Sequence, residues 1–90
     1  LKRNTFKMRI HTSAFRHGLT ADHIDHAWNH AVAFYDIEPD HDPTKSLCIG
    51  PDPAGNLVEL LYLKLQEIDL IIHAMPLRQV FADYLTRNDS

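Results

Sequence analysis

Ser46 to Leu85, SLCIGPDPAGNLVELLYLKLQEIDLIIHAMPLRQVFADYL, reads as three strands closed by a helix, and each join carries its own signal. Ser46 to Gly50 is a short apolar run that stops at Pro51-Asp52-Pro53-Ala54-Gly55. That stop predicts a tight reversal: proline presets φ, aspartate favours the turn, and glycine accepts the left-handed position. Asn56 to Leu63 is apolar on both faces except for Glu59, the pattern of a strand in the middle of a sheet. After Lys64-Leu65-Gln66-Glu67, Ile68 to Ala74 resumes as sheet-favouring sequence. Met75-Pro76 ends the sheet, and Leu77, Val80, Phe81, Tyr84 and Leu85 fall at helical spacing, one apolar stripe to lay on it.

The N-terminal half supplies the rest of the domain. Phe6 to Thr12 alternates, with Phe6, Met8 and Ile10 on one face and Lys7, Arg9 and His11 on the other, and predicts a first strand. Ser13 can cap a short helix, SAFRH, that Gly18 ends. Thr20 caps the next helix, in which Ile24, Ala27, Trp28 and Ala31 cover about a 100° arc. Asp22 in its first turn suits the macrodipole. The chain then becomes extended from about residue 32 to Ile37, and Glu38 to Lys45 is a polar loop containing proline. The expected fold is α+β: a small, mainly antiparallel sheet with two helices before it and one C-terminal helix.

Ninety residues make one domain, spanning 1–90, whose core must use nearly all of its apolar side chains. A hydrophobic content of 44% against 23% charged excludes a disordered chain, and no apolar run reaches the roughly 18 residues of a membrane span. LKRNTFKMRIH lacks a following apolar segment, so no secretory signal is expected in it. Met8 offers an internal start that would make Leu1–Lys7 an extension or a flexible N-terminus. Cys48, the sole cysteine, is expected to be a buried, reduced thiol, which suits a cytoplasmic setting. The net charge of −3 hides an asymmetry: Lys2, Arg3, Lys7, Arg9 and Arg16 precede every acid, whereas Asp36, Glu38, Asp40 and Asp42 crowd the middle. A site for a polyanion would therefore be a local basic patch.

Seven histidines are the compositional oddity. His23, His26 and His30 share about a 60° arc of the second helix, since their spacings are three and four. That geometry can bind a metal, but the arc borders the apolar stripe, and no cysteine pattern or dedicated carboxylate completes a zinc site. Half-buried packing, with no metal or other cofactor, is the expectation. Arg16 and His17 sit before the Gly18 break, where they either satisfy helix carbonyls or face a phosphate. His73 interrupts Ile71, Ile72, Ala74 and Met75, and strict alternation puts it on the face of Ile71 and Met75. Arg78 falls in the first turn of the last helix, where a cation opposes the dipole but can help the N–H groups hold a phosphate. Tyr62 and Tyr84 are candidates for stacking an RNA base, or core residues. Glu59 either reaches solvent or partners a base.

The segment Arg16 to Asp36, RHGLTADHIDHAWNHAVAFYD, resembles the basic-His-Gly, capped helix and following strand of BrnT-like toxins, members of the RelE/ParE superfamily. Ile49-Gly50, the return at Gly55-Asn56-Leu57-Val58, and Ile71 to Ala74 keep that family's order, so the resemblance covers about Ile10 to Leu85. Where the family usually carries an Ile-Ser-Ala-Arg type run, this chain has Ile72-His73-Ala74-Met75, and its charge is negative where the family is usually basic. The resemblance implies the toxin of a type II toxin–antitoxin system, a metal-independent endoribonuclease that cleaves RNA through the 2′-hydroxyl and inhibits translation. Its implied partners are mRNA, free or on the ribosome, a cognate antitoxin, and promoter DNA only through the antitoxin complex. On that reading His17 and His73 transfer protons, and Arg16 and Arg78 hold the phosphate. The competing readings are a non-catalytic interaction domain on the same fold and a histidine-rich metal-binding module.

Overall fold

The computed structural model describes residues 7–86, so the expected extension, apart from Lys7, and Phe6 of the first strand lie outside the described residues. In chain order it runs β1 (Lys7–Ile10), a 3₁₀ turn (Thr12–Phe15), α1 (Ala21–Asn29), β2 (Ala33–Glu38), β3 (Lys45–Pro51), β4 (Leu57–Lys64), β5 (Ile68–Pro76) and α2 (Gln79–Thr86). The five strands form one sheet in the order β1-β5-β4-β3-β2. From β2 to β5 each strand pairs antiparallel with its neighbour, as a meander of hairpins must. β1 joins the edge of β5 in parallel, which makes the sheet mixed.

The expectation of two helices before the sheet is corrected. The segment SAFRH forms only a 3₁₀ turn, because too few residues separate β1 from the positive-φ Gly18 for α-helical propagation. Its cap is the His11 ring, which accepts from Ser13 N–H at 3.0 Å. Ser13 instead donates its hydroxyl to the Ile72 carbonyl at 2.7 Å and fastens the turn to β5. One α-helix thus precedes β2 and one follows β5. Thr20 does cap α1, and the His23 side chain closes a reciprocal capping box with it.

α1 and α2 cover opposite faces of the sheet. On one face Ile24, Ala27 and Trp28 pack with Cys48, Val58, Leu60, Tyr62, Ile71 and Ala74. On the other, Leu77, Phe81 and Tyr84 lie against Leu47, Ile49 and Leu61. This double cover explains why β3 and β4 read as nearly unbroken apolar runs. It also buries the Cys48 thiol, whose pKa burial pushes up to about 12. The apolar stripe expected along the last helix is narrower than the spacing suggested: Val80 is 63% exposed and Leu85 is exposed as well.

Two turns fix the meander. Gly55 takes the left-handed conformation (φ +91°) in the β3–β4 reversal, where the Asp52 carboxylate accepts from the N–H groups of Ala54 and Asn56. In the β4–β5 turn the left-handed position (φ +79°) falls to Glu67, a residue with a Cβ. Glu67→Gly is therefore expected to raise stability by about 0.5–1 kcal/mol, read as a higher urea midpoint. A lower midpoint would show that the Glu67 side chain contributes more than its backbone costs.

Candidate active site

Alternation along β4 sends Val58, Leu60 and Tyr62 towards α1 and leaves Glu59 on the face of α2. Glu59 is fully buried there, and four bonds hold it. Its Oε1 accepts from the backbone N–H of Arg78 at 2.8 Å. Its Oε2 accepts from Arg78 Nε at 2.9 Å and Nη2 at 2.7 Å, and from His73 Nε2 at 2.9 Å. The chain delivers Arg78 by a short return: Met75 lies opposite Glu59, and Leu77 N–H bonds the Leu57 carbonyl at 3.0 Å as the strand passes into α2.

Burial raises the Glu59 pKa, but the side-chain and then the backbone bonds from Arg78, with the His73 bond after them, outweigh it and leave the carboxyl below its ordinary value. The bond to Glu59 raises Arg78 in turn. An ionised carboxylate only accepts, so His73 Nε2 carries a proton and, in the neutral ring, Nδ1 keeps a lone pair. Because the Glu59 pKa is depressed, its contribution to stability is present above the unfolded value, about 4.3, and is lost as pH falls through the lower folded value. Glu59→Gln should be less stable than the parent at neutral pH by about 1–2 kcal/mol, with the gap closing in acid. Urea midpoints across that range measure it, and a gap independent of pH would contradict the ionised assignment.

Arg78 is not in the first turn of the helix. It precedes α2 as the capping position, its carbonyl accepting from Phe81 and Ala82 N–H, and its guanidinium folds back to Glu59 and over the Phe81 ring at 5.4 Å. The anion at this helix start is thus the protein's own Glu59, which relieves the expected clash with the dipole and occupies the position foreseen for a phosphate. The Arg78 side chain remains 46% exposed, so its unbonded N–H groups still face solvent.

A bulge brings in His73. Leu61 lies opposite His73 while Tyr62 lies opposite Ile71, so Ile72 is the extra residue and strict alternation fails at this point. Ile71 consequently packs with the α1 cluster and His73 turns to Glu59, correcting the expectation that the two share a face. β1 pairs with β5 only as far as Ile71; the 3₁₀ turn then lies against the edge. This arrangement carries exposed His17 to His73, ring edge to ring face, with centroids 5.3 Å apart.

The remaining candidates lie elsewhere. Arg16 is exposed beside His17 in sequence and makes none of the contacts that join the cluster. Tyr62 is 1% exposed in the α1 cluster, with its ring against Trp28 at 5.0 Å, so it is a core residue and no platform for a base. Tyr84 is half-buried against Tyr35, whose hydroxyl donates to the Tyr84 carbonyl, on the α2 face. Glu59, whose lone charge in an apolar strand was the available signal, is the residue that joins the others. Among the described residues no group of three His, Cys, Asp or Glu is arranged to hold a metal, and no helix is long and apolar enough to cross a membrane. Comparison of the chain with protein-family models, with curated proteins and with solved structures found no match.

Proposed function

We propose that the cluster of His17, His73, Glu59 and Arg78 is the active site of a metal-independent endoribonuclease, the toxin of a type II toxin–antitoxin pair. The observation that carries the reading is the meeting of His17 and His73, distant in sequence, beside a half-exposed arginine and over a buried carboxylate. Transesterification of RNA needs a base, an acid and a cation, and this set contains all three.

His73 takes the 2′-hydroxyl proton at Nδ1, because Glu59 holds its Nε2–H. The freed 2′-oxygen attacks phosphorus, and the bond from phosphorus to the 5′-oxygen breaks. His17, in its protonated form, gives that oxygen its proton. The products are a 2′,3′-cyclic phosphate and a 5′-hydroxyl. Arg78 offers its remaining N–H groups to the non-bridging oxygens as negative charge builds on them. Glu59 orients His73 and spreads no charge onto the substrate. The site acts in the cytoplasm on mRNA, and a cognate antitoxin covers it; the pair meets promoter DNA only through the antitoxin.

One observation favours a second reading, a non-catalytic interaction domain on the same fold: Glu59 neutralises Arg78, and the chain carries a net charge of −3. Expression in a bacterial host separates the two. The wild-type chain is expected to arrest growth, and equal amounts of folded His17→Ala protein are expected not to. Normal growth under wild-type expression, or equal arrest by both, would favour the interaction domain.

A further inference from the structure

We propose that His26 and His30 form an open two-histidine chelate for a divalent transition-metal ion of the nickel, copper and zinc group. The two residues stand one turn apart at the C-terminal end of α1, and their rings stack with centroids 4.1 Å apart and planes inclined by 18°. His26 Nδ1 lies 2.8 Å from the Pro51 carbonyl oxygen, and His30 Nδ1 lies 3.0 Å from the carbonyl oxygen of His26. A carbonyl oxygen can only accept. Both Nδ1 atoms therefore carry the proton, and both Nε2 atoms keep a lone pair.

That pairing is the one a metal requires. Histidine ligands are commonly oriented by a backbone carbonyl on the far ring nitrogen, which fixes the tautomer and raises the basicity of the ligating one. Imidazoles at i and i+4 project from the same helix face, so one ion can be reached by both. His30 is exposed, which gives the ion a path from solvent. His23, third on the same arc, is drawn to the other end of the helix: its Nδ1 meets Thr20 N–H at 3.1 Å and Thr20 Oγ1 at 2.8 Å. With no third His, Cys, Asp or Glu grouped here among the described residues, water completes the coordination. The result is an exchangeable surface site, unlike the closed four-ligand zinc site that the sequence argues against. Imidazole donors suit these ions, with copper held most tightly. An ion bound here also ties the end of α1, through His26, to the β3–β4 reversal at Pro51.

Calorimetric titration of the untagged chain with nickel ion near neutral pH tests the proposal. The wild type is expected to bind one ion, and His30→Ala to weaken that binding about tenfold or more. His26→Ala should do the same, while His23→Ala and His41→Ala should bind as the wild type does. Should His26→Ala fail to fold for want of its Pro51 bond, exposed His30 still decides the matter. Absence of binding by the wild type, or binding that His30→Ala leaves unchanged, would overturn the assignment.

Discussion

His73→Ala protein, purified and folded, is expected to cleave single-stranded RNA about 10²–10⁴-fold more slowly than the wild type, the range for losing a positioned proton-transfer group. The expectation follows from the bonding around Glu59. A histidine whose Nε2–H is held by a buried carboxylate presents its other nitrogen in one tautomer and one orientation, as a general base requires. His17→Ala should fall by a comparable factor, and because His17 is exposed, that variant keeps the fold. The Glu59→Gln protein should cleave slowly too, since an amide can offer His73 the wrong hydrogen-bonding partner. Cleavage rates measured beside thermal melts separate loss of chemistry from loss of structure. Equal rates for the wild type and both histidine variants would remove these residues from the reaction.

Gly50→Ala is expected to destabilise the protein by about 3 kcal/mol, at the upper end for overpacking a core. Gly50 lies buried in β3, beneath α1. A Cβ at this position would collide with the carbonyl oxygen of Ala27, a backbone atom that no rotamer change can move aside. The methyl group must therefore lift α1 from the sheet, opening the packing of Trp28 on Tyr62 and Phe34. Guanidinium unfolding of the two proteins measures the loss. A midpoint within error of the wild type would mean that α1 does not approach β3 this closely. The sequence shows a glycine at the end of a strand; only the packing of α1 shows why.

What could be read along the chain was local. Asp52 and Gly55 mark the reversal, Thr20 marks the start of α1, and the apolar faces of Leu57 to Leu63 mark a central strand; in each case the cause lies within a few residues. What could not be read depends on residues far apart. Pairing of β1 with β5 is parallel because the chain between them crosses over the sheet, and nothing in Lys7–Ile10 encodes its neighbour. The bulge at Ile72 comes from the fit of β5 to β4, so the face of His73 could not follow from alternation. Arg78 was legible as an anomaly beside a helix start, and Glu59 as another in an apolar strand. That each answers the other is a tertiary fact. Tyr62 misleads for a simple reason: an aromatic in a sheet has the same sequence signature whether it faces the core or an RNA base.

The claim that this cluster is a ribonuclease site is tested most directly by the ends it leaves on RNA. Purified wild-type protein, incubated with single-stranded RNA in the presence of a chelator and, in parallel, with ribosomes and mRNA, is expected to generate fragments ending in 2′,3′-cyclic phosphate and beginning with 5′-hydroxyl. Intact RNA in both reactions, or cleavage that stops in chelator and leaves 3′-hydroxyl ends, would contradict it.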